Sequence, residues 1–423
     1  MQSYVLASVI FVIIYIFIAT EKVNKAAIAI FGAVLMIALG IVSQEKAIEE
    51  YIDFNTIFFL IGMMIVVGIL KESGLFEYLA VKSAKISKGN PIVIMVLLSI
   101  ITAFFSAFLD NVTTVLLITP VMIYIARKLN INPIPLAITV IFASNIGGTA
   151  TMIGDPPNIL IGSQVKLDFI EFANNLSLIS IFILIVTIFI FSLIYKNDLK
   201  KSKSNSQLLE GLSEDNLIKD NKLLIKSLFV LFIAILGFIF HSQIHLESAT
   251  IALFAAALLM ILSGFEPVKI FKEVEWETIF FFIGLFVMVG ALEETGVIKM
   301  LAEKLLSITN GNEIVTAISI LWLAAIASAF LDNIPFTATM IPLIKITGEI
   351  SGMDIYPFWW ALALGACLGG NGTSIGASAN VVTIGMLKEE GINISFGKYL
   401  KIGFPVMLIS IIISTIYIVL RYY

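Results

Sequence analysis

One cysteine in 423 residues, Cys367, excludes an intramolecular disulfide and any cysteine-based metal cluster. Histidine is almost as scarce. His241 and His245 close one apolar run, where interfacial placement competes with a pH-sensing role. Charge is short too: Asp, Glu, Lys and Arg make up 13% of the chain, against about 25% in soluble domains. Hydrophobic residues make up 59% and mean hydropathy is +1.03, which excludes an ordinary soluble enzyme and describes a polytopic membrane protein. No G-x-x-x-x-G-K-[ST] run occurs, so nucleotide-driven pumping has no support. The opening apolar run, Tyr4 to Ala19, lacks a basic leader and reads as a first span, not a cleaved targeting segment. The net charge of −4, scattered over loops, says nothing about partners; no nucleic-acid partner is expected of a polytopic membrane protein. No covalent cofactor is expected.

The few polar residues inside apolar stretches are written twice. Ser106-Ala107-Phe108-Leu109-Asp110-Asn111 returns as Ser328-Ala329-Phe330-Leu331-Asp332-Asn333, an offset of 332 − 110 = 222 residues. The offset holds without a gap. Gly62, Gly68 and Gly74 return as Gly284, Gly290 and Gly296, and Gly147, Gly148, Thr151, Gly154 and Asn158 as Gly369, Gly370, Thr373, Gly376 and Asn380. The chain is a tandem duplication.

A helical span needs about 20 apolar residues. Spans are expected near 4–20, 25–42, 54–70, 134–163 and 172–195, with an amphipathic piece at 75–87. The offset then predicts 226–242, 247–264, 276–292, 356–385 and 394–417. The stretch 91–127 is too long for one span and has Asp110-Asn111 at its centre, so it reads as a re-entrant hairpin, as does 313–349. The expected fold is all-α: residues 1–195 as repeat 1, a polar and mobile linker at 196–222, and residues 223–423 as repeat 2. Each repeat has five transmembrane helices and one re-entrant hairpin. Five is odd, so the second repeat is inverted.

Positive charge orients this arrangement. With the linker in the cytoplasm, twenty Lys and Arg lie inside, among them Lys22, Lys25, Lys71, Arg127, Lys269 and Lys388; six lie outside, namely Lys46, Lys166, Lys299, Lys304, Lys345 and Arg421. Both termini then lie outside a cell (plasma or inner) membrane.

Inverted repeats with interrupted helices mark secondary transporters, with the site at the midplane. Each half holds two interruptions. One is the hairpin tip, with Asp110, Asn111, Thr113 and Thr114 in the first half and Asp332 and Asn333 in the second. The other is a glycine-rich break: Asn145, Gly147, Gly148, Thr149, Thr151, Asp155 and Asn158, matched by Asn371, Gly372, Thr373, Ser374 and Asn380. Freed carbonyls and hydroxyls there can replace an ion's water, and inward-pointing helix N-termini favour an anionic group. Asp110, Asp332 and Asp155 are ionisable residues at depth and functional candidates by default. Helix capping is the bland alternative for the two tip aspartates, because Asp is a good N-cap. No Lys or Arg is expected near these carboxylates. A buried unpaired carboxylate takes up a proton or binds a cation. Asp110, Asn111, Asp332 and Asn333 are therefore expected to hold Na⁺, or the aspartates H⁺, as coupling ion. Cys367 reads as helix packing, and Trp359 and Trp360 as interfacial belt residues.

At these motifs, above all Phe108-Leu109-Asp110-Asn111-Val112-Thr113-Thr114 and Ile153-Gly154-Asp155-Pro156-Pro157-Asn158, the chain resembles the ion-transporter superfamily. That group takes in ArsB-type arsenite permeases, NhaD-type sodium–proton antiporters, the melanosomal P protein and the divalent anion–sodium symporters. The motifs are similar to the P-protein and ArsB/NhaD branch. The resemblance implies a homodimer in lipid, with a fixed scaffold and a moving transport domain working as an elevator on a small ion. In the dicarboxylate relatives Ser-Asn-Thr triplets at the tips help bind sodium; here the positions read Asp110-Asn111-Val112 and Asp332-Asn333-Ile334. The expectation is a Na⁺- or H⁺-coupled permease for a small inorganic or organic ion, with a plain Na⁺/H⁺ antiporter as alternative. A passive channel and an intramembrane aspartyl protease are the other classes. The protease would need Gly-x-Gly-Asp, but Met152 stands where its first glycine should be.

Overall fold

The computed structural model describes residues 2–20, 23–201 and 217–423. Among them are eighteen helices of ten residues or more and no strand. The first nine are α1 Gln2–Thr20, α2 Lys25–Ala38, α3 Phe54–Lys71, α4 Leu75–Ile86, α5 Pro91–Ser106, α6 Asn111–Lys128, α7 Pro133–Thr149, α8 Pro156–Val165 and α9 Leu178–Ile194. The second nine are α10 Asn221–Ile244, α11 Ser248–Ser263, α12 Trp276–Glu294, α13 Val297–Thr309, α14 Glu313–Phe330, α15 Asn333–Ser351, α16 Tyr356–Gly369, α17 Ser378–Glu389 and α18 Phe396–Tyr422. Adding 222 to the first residues of α3, α4, α6 and α8 gives the first residues of α12, α13, α15 and α17.

Local chemistry explains these starts. Asn90 and Asn132 accept backbone N–H bonds and are followed by Pro91 and Pro133, whose fixed φ suits a first helical turn. Gly74 and Gly296 precede the amphipathic helices α4 and α13 at φ +81° and +80°. A Cβ at Gly74 would lie 1.9 Å from the Leu217 carbonyl oxygen, so only glycine fits there. Among the described residues six helices are long and apolar enough to cross a membrane: 54–71, 169–194, 221–244, 276–294, 313–330 and 396–422.

The two halves interlock. A Cβ on Gly62 of α3 would meet the Ala252 backbone of α11 at 2.6 Å, and one on Gly284 of α12 would meet Ala29 of α2 at 2.5 Å. Each half thus presses a smooth glycine face onto the other half's second helix. Ion pairs rim the contact: Lys46 meets Glu294 at 2.6 Å, Lys71 meets Glu273 at 2.9 Å, and Lys269 meets Glu72 at 3.8 Å. The Glu294 carboxylate holds the Lys46 ammonium above its usual range through their hydrogen bond.

Two expectations change. Trp359 and Trp360 are fully buried, not belt residues: Trp360 packs edge-on against Phe172, ring centroids 5.1 Å apart. An aromatic pair at a span's entrance marks a belt only where that face meets lipid, and here it meets α9's entry turn. Residues 202–216, the middle of the expected linker, lie outside the described residues. Its flanks are packed: Leu199 is buried and Lys219 donates its backbone N–H to Ser73.

Candidate functional site

The sequence at each hairpin tip dictates an N-cap. Asp110 accepts from the Val112 amide at 2.8 Å and the Thr113 amide at 3.3 Å, and the Thr113 hydroxyl closes on its second oxygen. Asp332 accepts from the Ile334 amide at 3.1 Å and from the Ser378 hydroxyl at 3.2 Å. The alternative weighed for these residues is therefore what their geometry displays, and capping leaves their outer oxygens able to serve a ligand as well.

Each tip is tied to its own broken helix. Ser106 donates to the Ser144 carbonyl and Ser328 to the Ala366 carbonyl, both at 2.6 Å. The Thr151 and Thr373 hydroxyls donate to the tip carbonyls of Ala107 and Ala329. Glycine permits the close approach: Cβ atoms on Gly147 and Gly369 would lie 2.3 and 2.5 Å from the Ala103 and Ala325 carbonyl oxygens. Gly148 faces Gly154 across the first break, and Gly372 lies against Ala329.

The breaks themselves are closed by asparagine. Asn158 Nδ2 donates to the carbonyls of Thr149 and Thr151 at 3.1 and 2.8 Å; Asn380 Nδ2 donates to those of Gly370 and Thr373 at 2.7 and 2.8 Å. Carbonyls released by unwinding are thus partly satisfied at depth, as an apolar surrounding requires.

The two breaks meet in a buried polar cluster. Asn111 donates to Asn145 at 3.1 Å, and Asn145 donates to both Asn371 and Asn380 at 3.0 Å. The repeat-related cluster joins Asn333 to Asp155 at 3.3 Å and Cys367 to Asn158 at 3.5 Å. Cys367 stands 222 residues after Asn145 and donates to the first break's asparagine, as Asn145 donates to the second's. The symmetry fails at one charge, since Asp155 corresponds to Ala377. Among the described residues Asn111 Oδ1, Thr114 Oγ1, Asp155 Oδ2 and Asn371 Nδ2 are buried with no protein partner. Thr149 turns its hydroxyl back onto the Asn145 carbonyl at 2.7 Å, and Ser374 lies half-buried at the edge of the break. The residues expected at the site are therefore brought together, with the tip aspartates as caps and Asp155 as the carboxylate with an open oxygen.

One residue was missed, and it corrects an expectation. Lys25 Nζ lies 3.8 Å from Asp332 Oδ2, so a basic side chain does reach a tip carboxylate. Nothing in the sequence joins two residues 307 apart (332 − 25) at the mouth of an ordinary apolar span.

Among the described residues are two cavities of about 300 Å³ or more that hold both acidic and basic side chains. One, about 340 Å³, is lined by Tyr15, Asn24, Lys25, Glu277, Asp332 and Ser378 among others. The other, about 300 Å³, is lined by Glu50, Tyr51, Gln164, Glu293 and Lys345 among others.

Paired tips, paired breaks and a buried polar cluster where they meet define a membrane transporter. The chain belongs to the citrate transporter family: the family model described as "Citrate transporter" matches residues 15–365. It is 41% identical to an uncharacterized transporter of Mycobacterium tuberculosis over 99% of both chains. It is 40% identical to a 46 kDa membrane protein of Mycobacterium leprae, again over 99% of both. The human P protein is 33% identical across 99% of this chain and 60% of its own length. Among solved structures, the YdaH transporter of Alcanivorax borkumensis, described as having an unusual topology, superposes with a TM-score of 0.60. It covers 94% of this chain and 98% of that one at 12% identity, a likeness of fold.

Proposed function

We propose that the protein is a cation-coupled secondary transporter that moves citrate or another small ion across the cell membrane, with Na⁺ or H⁺ as coupling ion. The observation that carries this reading is Asp155. Its carboxylate is fully buried, one oxygen has no protein partner, and the other accepts from the Asn333 amide and not from a basic group. A carboxylate in that position holds a proton or a cation. The open oxygens of Asn111 and Thr114 extend the site, and Asp110 and Asp332 contribute their outer faces to the same ions. Exchange of Na⁺ for protons at Asp155, a plain antiport, is the alternative, because one carboxylate binds either cation.

The inverted arrangement fits this reading. Lys71–Glu273, Lys269–Glu72 and Arg127–Glu390 each join residues that the count of positive charges puts in the cytoplasm, and Lys46–Glu294 joins two that it puts outside. In the mechanism, a homodimer holds the interlocked α2, α3, α11 and α12 as scaffold. The two tips and two breaks move as one body, in an elevator motion. A ligand shifts that equilibrium only by its differential affinity for the two states, so the empty and the fully loaded sites must cross while the half-loaded site stays.

Labelled citrate uptake into proteoliposomes tests the proposal, with an imposed Na⁺ gradient or pH gradient as driving force. Uptake is expected to follow one of the gradients and to fall at least tenfold in Asp155→Asn. Uptake that ignores both gradients would make the protein a passive pathway.

A further inference from the structure

We infer that Lys25 is the group that recognises the carboxylate of an anionic cargo, and that a cation on Asp332 makes it available by breaking their pair. The inference rests on the cation-coupled reading and assigns an anion-recognition residue to it.

The cavity of about 340 Å³ beside the second tip falls in the range of small-molecule sites, about 300–1,000 Å³. Lys25 is the basic side chain lining it among the described residues. Its ammonium is held loosely: 3.8 Å from Asp332 Oδ2, 3.4 Å from Ser378 Oγ and 5.4 Å from the centre of the Phe281 ring. Charge-assisted bonds close to about 2.7–2.9 Å, so the pair is at the edge of contact. Asp332 meanwhile keeps two other donors, the Ile334 amide and the Ser378 hydroxyl. Losing Lys25 would therefore leave its cap intact.

The repeat supplies an internal control. Lys25 corresponds to Glu247, Glu277 to Asn55 and Ser378 to Pro156, so the first tip lacks the whole set. The space beside Asp110 is correspondingly small, about 10 Å³. The repeat-related cavity of about 280 Å³, lined by Asn55, Glu247 and Lys166 among others, does not reach Asp110; among the described residues only the second tip has its aspartate and a lysine lining one cavity.

The charges dictate the order of events. Tyr15 from α1, Glu275 and Glu277 from the start of α12, and Asp155 from the first break surround the pair. With Lys25 neutralised by Asp332, an arriving anion meets Glu277 and no free positive charge. Na⁺ on Asp332 frees the ammonium, which then turns to the cargo's carboxylate. Linkage makes the effect reciprocal: whatever factor the cation adds to anion affinity, the anion adds to cation affinity. The pair also joins α2 of the interlocked helices to the hairpin tip.

Citrate binding to the purified full-length protein, by calorimetry with Na⁺ or choline, tests this. Wild type is expected to bind citrate at least tenfold more tightly when Na⁺ is present. Lys25→Met should lose that binding, Lys25→Arg should keep it, and Asp332→Asn should bind citrate with no cation dependence. If Lys25→Met fails to fold, the Asp332→Asn comparison decides alone. Lys25→Met binding like wild type, Asp332→Asn retaining full cation dependence, or wild type ignoring citrate would each overturn the inference. The two variant outcomes leave cation-driven flux through Asp155, read separately in liposomes, untouched.

Discussion

Three aspartates lie at the two tips and the first break, and their neighbours give them different work. Asp110 spends its oxygens on two amides and a hydroxyl, Asp332 shares its own between a cap and Lys25, and Asp155 keeps one oxygen open. Asn caps a helix about as well as Asp, so Asp110→Asn should fold normally. If the Asp110 charge serves an ion, coupled transport is lost in that variant; unchanged uptake would remove Asp110 from the ion site and leave it a cap. Asn145 is the opposite case, an uncharged residue on which three other asparagines converge. Asn145→Ala strips a partner from each, and a buried polar group left unpaired costs about 1–3 kcal/mol. A clear fall in the detergent melting midpoint is expected; a midpoint equal to wild type would show that water replaces the amide and that the cluster is wet.

The elements depend on glycine where the tips lean on the broken helices. A methyl at Gly147 or Gly369 would meet backbone carbonyls at 2.3 and 2.5 Å, which no side-chain rotation relieves. Overpacking of this kind costs about 1–3 kcal/mol, so Gly147→Ala and Gly369→Ala should both lower the melting midpoint. Gly385, with no neighbour within 4 Å of its Cβ position, is the control, and Gly385→Ala should be near neutral. Most of this architecture was legible in the sequence because apolar run length and the repeat offset are local signals. Both placed the tips at 110–111 and 332–333, where helices do begin. The turn at 44–51, a short helix running into a wider π-helical turn, was missed. It carries no long apolar run, and its geometry follows from Lys46 and Tyr51 reaching Glu294. The buried Trp359 and Trp360 were misread for a related reason: run length says where a span starts but not which face meets protein.

At the scale of the whole molecule, the halves exchange partners, α3 against α11 and α12 against α2, a pairing invisible in the sequence because the repeat offset describes likeness and not contact. The same limit hid Lys25. The orientation assigned to the halves makes a sharp prediction. In a Cys367→Ser background, a cysteine at position 46 should react with an impermeant maleimide added outside, and one at position 269 only after the membrane is opened. Labelling of both from one side would refute the inverted arrangement.

The central claim is that a cation at Asp155 is coupled to transport. It is tested most directly in vesicles holding a preset pH gradient, with internal pH followed by a dye. Na⁺, Li⁺ or K⁺ is added first, then citrate together with Na⁺. At least one addition should change the internal pH of wild-type vesicles or drive uptake of labelled citrate, and should leave Asp155→Asn vesicles unmoved. Wild-type vesicles that show neither response, or Asp155→Asn vesicles that respond as wild type does, would contradict the account.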